Sequence, residues 1–252
     1  MDAPELSIIL PAYNEAKNIP LIVGKIADAM GDIPYEIIVV DDDSPDGTAR
    51  VTRAIGREKP YVRCVHRINR RGLSGACIEG MMAANAPAVA VMDADMQHDE
   101  TRLPVMLTEI RKGADLVIGS RYVNGGNAST GFQKKTRAKG SELATALANR
   151  ITGAYTSDPM SGFFMMTRDL ADRSARAISR DGFKILFDIV SRHRLHFDHT
   201  SQTGVLMHMI TGVGEAGRVG VTAIHNSPAE AETLYQRFVS VLDEEAAARL
   251  KE

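Results

Sequence analysis

Short apolar runs rich in β-branched residues alternate with longer segments of helical periodicity along residues 1–120. The short runs predict five strands, and the segments between them predict four helices. The predicted strands are Leu6–Leu10, Glu36–Val40, Val62–Val65, Ala88–Met92 and Leu116–Gly119. The predicted helices are Asn18–Met30, Thr48–Gly56, Ser74–Asn85 and Arg102–Lys112. Such alternation implies right-handed crossovers, so we predict a doubly wound α/β fold whose mostly parallel sheet is flanked by helices.

The pattern changes twice after the fifth predicted strand. Residues 121–194 combine a loop rich in Gly, Asn and Ser with a basic helix candidate and two further predicted helices. Residues 195–252 contain four of the seven histidines, a strand-like run and a final predicted helix. We therefore predict a main domain over residues 1–194, whose halves are 1–120 and 121–194, followed by a separate C-terminal segment.

Composition and charge exclude several classes of protein. The 252 residues are 44% hydrophobic and 25% charged, which is ordinary globular usage. Lys and Arg number 30 against 32 Asp and Glu, so the basic excess of a general nucleic-acid binder is absent. Cys64 and Cys77 form no C-x-x-C pair and suit a reducing compartment. With neither a signal-peptide pattern nor 18 consecutive apolar residues, we expect a soluble protein or one that lies on a membrane surface.

Polar and acidic residues follow three of the predicted strands, in Pro11–Glu15, Asp41–Thr48 and Asp93–His98. In open α/β sheets the ligands bind beyond the carboxyl ends of the strands, so these segments are the first candidates for chemistry. Asp93 and Asp95 offer the hard oxygen ligands that Mg²⁺ or Mn²⁺ prefers beside a diphosphate. A pair of solvated loop carboxylates is the alternative interpretation.

Three consecutive acids, Asp41–Asp43, open the second of these segments. An acidic turn, with Asp46 or Thr48 capping the next helix, is one interpretation. The turn alone does not account for three adjacent carboxylates, whose repulsion would be relieved by a cation or by hydrogen-bond donors such as a base N–H or ribose hydroxyls. Arg71–Gly75 opens a helix with two glycines, which either lets backbone amides approach a ligand or forms a plain loop.

Two further patterns have competing interpretations. Gly212–Gly217 fits G-x-G-x-x-G, but a dinucleotide fingerprint must open a helix, whereas Arg218–Ile224 predicts a strand. The segment 134–152 predicts a helix with a cationic start and an apolar stripe at Leu143, Leu147 and Ile151. That helix either packs its stripe on the core or contacts anionic lipid headgroups and a phosphate.

Six segments, in this order, carry a resemblance to a known family: Pro11–Glu15, Val40–Thr48, Arg71–Gly75, Asp93–His98, Gly119–Tyr122 and Asp158–Phe163. Together they resemble glycosyltransferase family 2, whose members have a GT-A fold. The stretch from Val40 is most similar to the dolichol- and polyprenol-phosphate mannose synthases of that family. The resemblance covers residues 5–194.

The resemblance implies three groups of site residues. Those that hold the nucleotide sugar are Pro11, Tyr13, Glu15, Asp42, Asp93, Asp95 and Gln97. The last three also hold the metal, Mg²⁺ or Mn²⁺. The acceptor phosphate is held by Arg121, Arg137 and Ser141. Asp95 and Arg121 are the residues implied in catalysis.

The implied reaction is the inverting, metal-dependent transfer of mannose from GDP-mannose to a polyprenyl or dolichyl phosphate. It would take place at the cytoplasmic face of a membrane, with a separate membrane-anchor protein as an open question. Two alternatives remain: a nucleotide-sugar-binding protein that has lost catalysis, and a family member that uses UDP-glucose or another donor.

Within this range, the chain departs from the family's pattern after Leu186. Family members continue there with a strand and a segment that closes on the phosphates, and nothing in this chain matches that segment. Residues 199–245 instead resemble the end of an ATP-grasp peptide ligase. The C-terminal segment is therefore expected to be divergent, which leaves turnover open but not nucleotide binding.

Overall fold

The computed structural model describes residues 3–120, 161–179, 185–192, 206–214 and 217–225. Its strands are β1 (Leu6–Ala12), β2 (Tyr35–Asp41), β3 (Val62–His66), β4 (Ala88–Met92), β5 (Ala114–Ser120), β6 (Phe163–Thr167), β7 (Leu206–Gly214) and β8 (Gly217–His225). Its helices are α1 (Ile19–Met30), α2 (Thr48–Glu58), α3 (Leu73–Ala83), α4 (Leu103–Arg111), α5 (Arg168–Ala177) and α6 (Ile185–Arg192). The strands and helices predicted for residues 1–120 are confirmed, with small differences at their ends. The predicted helices at 134–152 and 228–250 lie outside the described residues.

The strands form one mixed sheet in the order β3-β2-β1-β4-β6-β5-β8-β7. Strands β1 to β4 are mutually parallel, whereas β6 is antiparallel to both β4 and β5. Strand β6 was not among the predicted strands, although the apolar run between Gly162 and Arg168 is typical of a buried strand. Its insertion beside β4 brings Gly162 to the carboxyl end of that strand, where the Asp93 amide donates to the Gly162 carbonyl at 3.2 Å.

Helices cover both faces of the sheet, as a doubly wound fold requires. Successive side chains of each strand point to opposite faces and pack against these helices. In β2, Ile37 and Val39 pack with α1 and α4, whereas Ile38 and Val40 pack with α3. Helices α5 and α6 belong to this second face. Because both faces are covered, the central strands are apolar along almost their whole length, and their polar residues are concentrated at the ends.

Strands β7 and β8 form an antiparallel hairpin, and β8 pairs antiparallel with β5. The predicted strand Arg218–Ile224 is therefore confirmed, and Gly212–Gly217 does not open a helix. This geometry agrees with the rejection of Gly212–Gly217 as a dinucleotide fingerprint. Within the described part of the chain, no helix has the length and apolar character needed to span a bilayer.

A hydrogen-bond network around the buried Glu36 joins three strands and the segment after α3, at the end of the sheet opposite the acidic segments. Ser7 Oγ donates to Glu36 Oε1 at 2.6 Å, and Arg63 Nη2 donates to Glu36 Oε2 at 2.7 Å. The backbone amide of Asn85 also donates to Glu36 Oε1, at 2.7 Å. Burial opposes ionisation of Glu36, but these donors outweigh it and hold the pKa of its carboxyl below the ordinary value.

We expect Glu36→Gln to lower the free energy of unfolding by about 2 kcal/mol at pH 7, because the donors around this buried side chain lose a charged acceptor. A carboxyl whose pKa is depressed in the folded state stabilises above its unfolded pKa of about 4.3, and this stabilisation is lost as the pH falls through the folded pKa. The difference in the free energy of unfolding between the variant and the unaltered chain should therefore shrink on acidification. Urea unfolding at pH 7 and pH 3.5 measures this difference. An equal difference at both pH values would contradict the depressed pKa of Glu36.

Candidate functional site

The loops that follow β1 and β2 are hydrogen-bonded to each other at the carboxyl edge of the sheet. The amide of Asn14 donates to Ser44 Oγ at 2.9 Å, and the amide of Glu15 donates to Thr48 Oγ1 at 3.0 Å. Asp46 Oδ2 accepts the amide of Ala16 at 3.0 Å. Polar side chains of one loop thus fix the backbone of the other, which gives this edge a defined shape.

Helix α2 begins differently from the prediction that Asp46 or Thr48 caps it. The N-cap position is Gly47, whose φ of 89° suits glycine. Asp46 Oδ1 accepts the amide of Thr48, the first helical residue, at 3.0 Å. Some loss of hydration opposes ionisation of the exposed Asp46, but the hydrogen bonds from Thr48 and Ala16 lower its pKa below the ordinary value. Asp46 therefore joins the two loops as an anion.

The carboxylates of the acidic run Asp41–Asp43 contact groups of the chain itself. Asp42 forms an ion pair with the buried Arg67 guanidinium, and its second oxygen accepts the Gly72 amide at 2.6 Å. A cation and a hydrogen-bond donor therefore relieve the repulsion at Asp42 as expected, and both belong to the chain itself. Each Asp42 oxygen retains a second lone pair, so its role in nucleotide binding stays a prediction.

The neighbouring acids are also in contact with protein groups. Asp43 accepts the Asn69 amide at 3.1 Å and lies 3.0 Å from His66 Nε2, and both contacts lower the pKa of its carboxyl. Asp41 is fully buried, and its Oδ2 accepts the Ser44 amide at 3.3 Å. Its Oδ1 has no hydrogen-bond partner among the described residues.

Each of the four parallel strands is followed by a non-glycine residue with positive φ. These residues are Asn14 (63°), Asp43 (56°), Asn69 (57°) and Met96 (65°). Asn and Asp tolerate the left-handed conformation, whereas for Met96 it costs about 1–2 kcal/mol. Strained conformations of this kind persist where the surrounding structure enforces them, and they are concentrated at functional edges. All four residues lie at the same edge of the sheet as the acidic segments.

Asp93, Asp95 and Gln97 follow the buried strand β4 at this edge. The Asp93 side chain is 37% exposed, and its Oδ2 lies 3.6 Å from Nε2 of the buried His98. Asp95 is exposed, and its Oδ1 accepts the Gln97 amide at 3.0 Å. Within the described ranges, no three His, Cys, Asp or Glu side chains form a metal-binding group. The carboxylates of Asp93 and Asp95 are nevertheless hard, solvent-accessible oxygen donors of the kind that a divalent ion shares with a phosphate.

Gly162 limits the position of Asp93. A Cβ added to Gly162 would lie 1.9 Å from Asp93 Oδ2 and 2.5 Å from its Cγ. Only a residue without a side chain therefore leaves the Asp93 carboxylate where it is. Ser161 is anchored beside it, because its Oγ donates to the Gly119 carbonyl at 2.6 Å.

An aromatic and cationic pair borders the edge. Tyr13 is 42% exposed, and the Arg71 guanidinium lies 4.6 Å from the centroid of its ring. Of the other predicted nucleotide residues, Pro11 is buried in β1, and Glu15 accepts a hydrogen bond from Asn18 Nδ2 at 2.6 Å. Tyr13 and Arg71 thus present a flat surface that can stack against a base or a sugar.

The structure brings most of the predicted site residues to one edge. Those placed there are Pro11, Tyr13, Glu15, Asp42, Asp93, Asp95 and Gln97. Arg121, Arg137 and Ser141, predicted to hold the acceptor phosphate, lie outside the described residues. Arg67 and His66 were not among the predicted site residues, because their partners are far away along the chain. Their position at the end of β3, like that of the acidic run at the end of β2, is the signal that could have found them.

Family models match two parts of the chain. The model of glycosyl transferase family 2 matches residues 7–174. The model of the PGM1 C-terminal domain matches residues 186–238. The expectation that the chain departs from the first family's pattern after Leu186 is therefore confirmed.

The curated relatives are named as mannosyltransferases or as a monophosphomannose synthase. The chain is 36% identical over 188 residues to a dolichol-phosphate mannosyltransferase from Pyrococcus furiosus, which covers 74% of this chain and 52% of the relative. It is 33% identical to a dolichol-phosphate mannosyltransferase from Mycosarcoma maydis, over 77% of this chain and 67% of the relative. It is 32% identical to a polyprenol monophosphomannose synthase from Mycolicibacterium smegmatis, over 73% of this chain and 70% of the relative. The chain thus spans between about half and about two thirds of the length of these relatives.

Among solved structures, the glucosyl-3-phosphoglycerate synthase from Mycobacterium tuberculosis, in complex with Mn²⁺, UDP-glucose and phosphoglyceric acid, is similar in fold. The TM-score is 0.50 and the identity is 22%, over 66% of this chain and 57% of that one. Together with the family match, this similarity identifies the fold as GT-A-like, with a mixed sheet flanked by helices.

Proposed function

The chain belongs to glycosyl transferase family 2, and we propose that it transfers mannose from GDP-mannose to a polyprenyl phosphate of the dolichyl type. The observation that carries the proposal is the carboxyl edge of the sheet, where Asp93 and Asp95 lie on the same edge as Tyr13 and Arg71. The names of the curated relatives support mannose as the sugar and a polyprenyl phosphate as the acceptor.

We infer that Asp93, Asp95 and Gln97 hold a Mg²⁺ or Mn²⁺ ion together with the diphosphate of the donor. Their oxygen atoms are hard ligands, and the exposure of Asp95 leaves room for ligands from the nucleotide. When bound, such an ion neutralises the charge that develops on the departing GDP. The remaining residues of the edge bind and orient the donor, with Tyr13 and Glu15 on the first loop and Asp42 on the second.

The acceptor needs no strong base. The second pKa of a phosphate monoester is about 6, so near neutral pH it is already a dianion that can attack the sugar once it is positioned. A phosphate oxygen forms a bond to C1 of mannose from the face opposite the diphosphate. The bond from C1 to the GDP oxygen breaks, and its electron pair leaves with GDP. The configuration at C1 is therefore inverted.

We propose that Arg121, Arg137 and Ser141 hold the acceptor phosphate, since guanidinium groups bind phosphate by paired, charge-assisted hydrogen bonds. The polyprenyl chain is apolar, so the reaction takes place at a membrane surface, and the basic segment 134–152 suits contact with anionic headgroups. The cytoplasmic face and a separate membrane-anchor protein stay predictions.

Transfer is tested with the purified chain, GDP-mannose and vesicles that carry a polyprenyl phosphate, in Mg²⁺ or Mn²⁺ and in EDTA. We expect a mannosylated lipid phosphate in either metal and none in EDTA. UDP-glucose in place of GDP-mannose tests the alternative donor. A higher rate of transfer from UDP-glucose than from GDP-mannose would overturn the assignment of mannose as the sugar.

A second candidate, a nucleotide-sugar-binding protein without transfer, has one observation in its favour. From residue 186 the chain matches a different family model, in the region where family members close a segment over the phosphates. Binding of GDP-mannose with neither transfer nor hydrolysis would select this candidate.

Arg137→Ala should lower kcat/KM for the lipid acceptor by about 10- to 100-fold, since a charge-assisted hydrogen bond contributes about 1.5–3 kcal/mol. The affinity for GDP-mannose should not change. Steady-state kinetics with varied lipid phosphate and calorimetry with the donor measure the two effects. Arg176→Ala, at an exposed position of α5, is the matched loss of one positive charge. Unchanged acceptor kinetics in Arg137→Ala would remove Arg137 from the acceptor site.

A further inference from the structure

His66, the last residue of β3, contacts three elements through its imidazole ring. Its Nδ1 lies 3.2 Å from Arg53 Nη2 on α2, and its Nε2 lies 3.0 Å from Asp43 Oδ1 in the loop after β2. Its Nε2 is also 3.7 Å from Oδ2 of the buried Asp41. The His66 side chain is 22% exposed and that of Asp43 is 38% exposed, whereas Arg53 lies at the surface.

The partners of His66 define the proton on its ring. A guanidinium group only donates hydrogen bonds, so Nδ1 must accept from Arg53 and carry no proton. The proton of the neutral ring therefore lies on Nε2, from which it is donated to Asp43. Arg53 thereby fixes both the tautomer and the orientation of the imidazole.

Asp43 connects His66 to the loop that follows β3. Its Oδ1 accepts from His66 and its Oδ2 accepts the amide of Asn69, and both Asp43 and Asn69 have positive φ. One residue earlier, Asp42 is joined to Arg67 and Gly72 of the same connection. The two loops are therefore cross-linked by two adjacent acids, and His66 is the donor that holds the outer one.

We infer that His66 is a positioning residue for the nucleotide site, which holds the loops after β2 and β3 at the separation that the donor requires. This inference rests on the proposed function, because the loop after β2 carries Asp42 and the loop after β3 carries Arg71. His66 acts through Asp43 and forms no bond to the substrate. Its loss should therefore weaken binding of the donor and leave the rate at saturating donor unchanged.

Glutamine and leucine at position 66 separate positioning from packing. Glutamine has an N–H group that can donate to Asp43 and an oxygen that can accept from Arg53, so it replaces both functions of the neutral imidazole. Leucine fills a similar space and does neither. We expect His66→Leu to raise the Kd for GDP-mannose with Mn²⁺ and the donor KM about 10-fold, with kcat within about twofold. His66→Gln should restore most of the affinity.

The matched control lies on the same strand. Arg63→Gln removes the contacts of β3 with Glu36 at the far end of the sheet, so it lowers stability without touching the two loops. It should not change the Kd for GDP-mannose, although urea unfolding should place its stability near that of His66→Leu. Equal weakening of donor binding by Arg63→Gln and His66→Leu would assign His66 to stability alone and overturn the inference.

Long-range ¹H–¹⁵N spectra of the histidines supply a second, independent readout. The inference predicts that Nδ1 of His66 carries no proton, and a ring protonated at Nδ1 would overturn it. Equal donor affinity of the glutamine and leucine variants would also overturn it while leaving the proposed function standing. Donor binding by the unaltered chain without transfer would instead overturn the proposed function alone, because the affinity of the variants still tests His66.

Discussion

Asp95→Asn is expected to abolish metal-supported transfer, with a loss of about 1,000-fold in kcat/KM. The substitution removes one negative charge and a preferred ligand of Mg²⁺ or Mn²⁺. It leaves the loop intact, because the asparagine oxygen can still accept the Gln97 amide that Asp95 Oδ1 accepts at 3.0 Å. Since about 1.4 kcal/mol changes a rate tenfold, this loss corresponds to several kcal/mol of transition-state stabilisation by the metal ion.

The measurement is transfer from GDP-mannose at varied Mn²⁺ concentration, with circular dichroism as the check of folding. Asp32→Asn, an exposed substitution of the same kind in the turn after α1, is the control and should keep full activity. A variant at Asp95 that retains more than about a tenth of the activity at saturating Mn²⁺ would show that this carboxylate is not a metal ligand in the reaction.

Gly162→Ala should lower transfer by about 100-fold or more while costing less than about 1 kcal/mol of stability. The new methyl group would lie 1.9 Å from Asp93 Oδ2, so the carboxylate must rotate away from its position after β4. A side-chain end moves at little cost to the fold. The proposed metal site, however, depends on where that carboxylate lies.

Gly24→Ala is the matched control, because the space around Gly24 on α1 is open. Alanine is a better helix former than glycine by about 1 kcal/mol, so this variant should be slightly more stable and fully active. Thermal unfolding and transfer assays on both variants measure the effects. Full activity of Gly162→Ala would mean that the position of Asp93 does not matter for the reaction.

The fold of residues 1–120 was predictable because local patterns determine it. Strands β1, β2 and β4 are buried apolar runs, and the polar residues that follow them, such as Asp42 and Asp95, mark the carboxyl edge without any knowledge of the sheet order. The insertion of β6 between β4 and β5 was not predictable, because a five-residue apolar run does not specify its neighbours or its direction.

The candidate site was predicted by residue type but not by arrangement. The sequence places acidic residues after β2, yet it does not indicate that Arg67, 25 residues away, forms the ion pair with Asp42. Such pairs depend on how two crossovers pack, and no spacing along the chain encodes them. For the same reason the sequence indicated Gly162 as part of a motif but not its close approach to Asp93.

The internal contacts of the acidic run change the chemical interpretation of the edge. Asp42 and Asp43 are engaged by Arg67 and His66 and serve to join two loops, whereas the side-chain contacts of Asp93 and Asp95 with His98 and Gln97 lie within the loop after β4. The two acidic segments thus differ in their contacts. We propose that the first shapes the edge at which a nucleotide binds, and that the second offers the negative charge that a metal ion beside the diphosphate requires.

Calorimetric titration of the full chain with GDP-mannose, in Mn²⁺ and again in EDTA, tests the central claim most directly. The claim is that this edge of the sheet binds a nucleotide sugar through a divalent ion. We predict saturable binding of GDP-mannose in Mn²⁺, a loss of at least about tenfold in affinity in EDTA, and weaker binding of UDP-glucose. Failure to bind any of these nucleotides in Mn²⁺, or equal affinity for GDP-mannose with and without the ion, would contradict it.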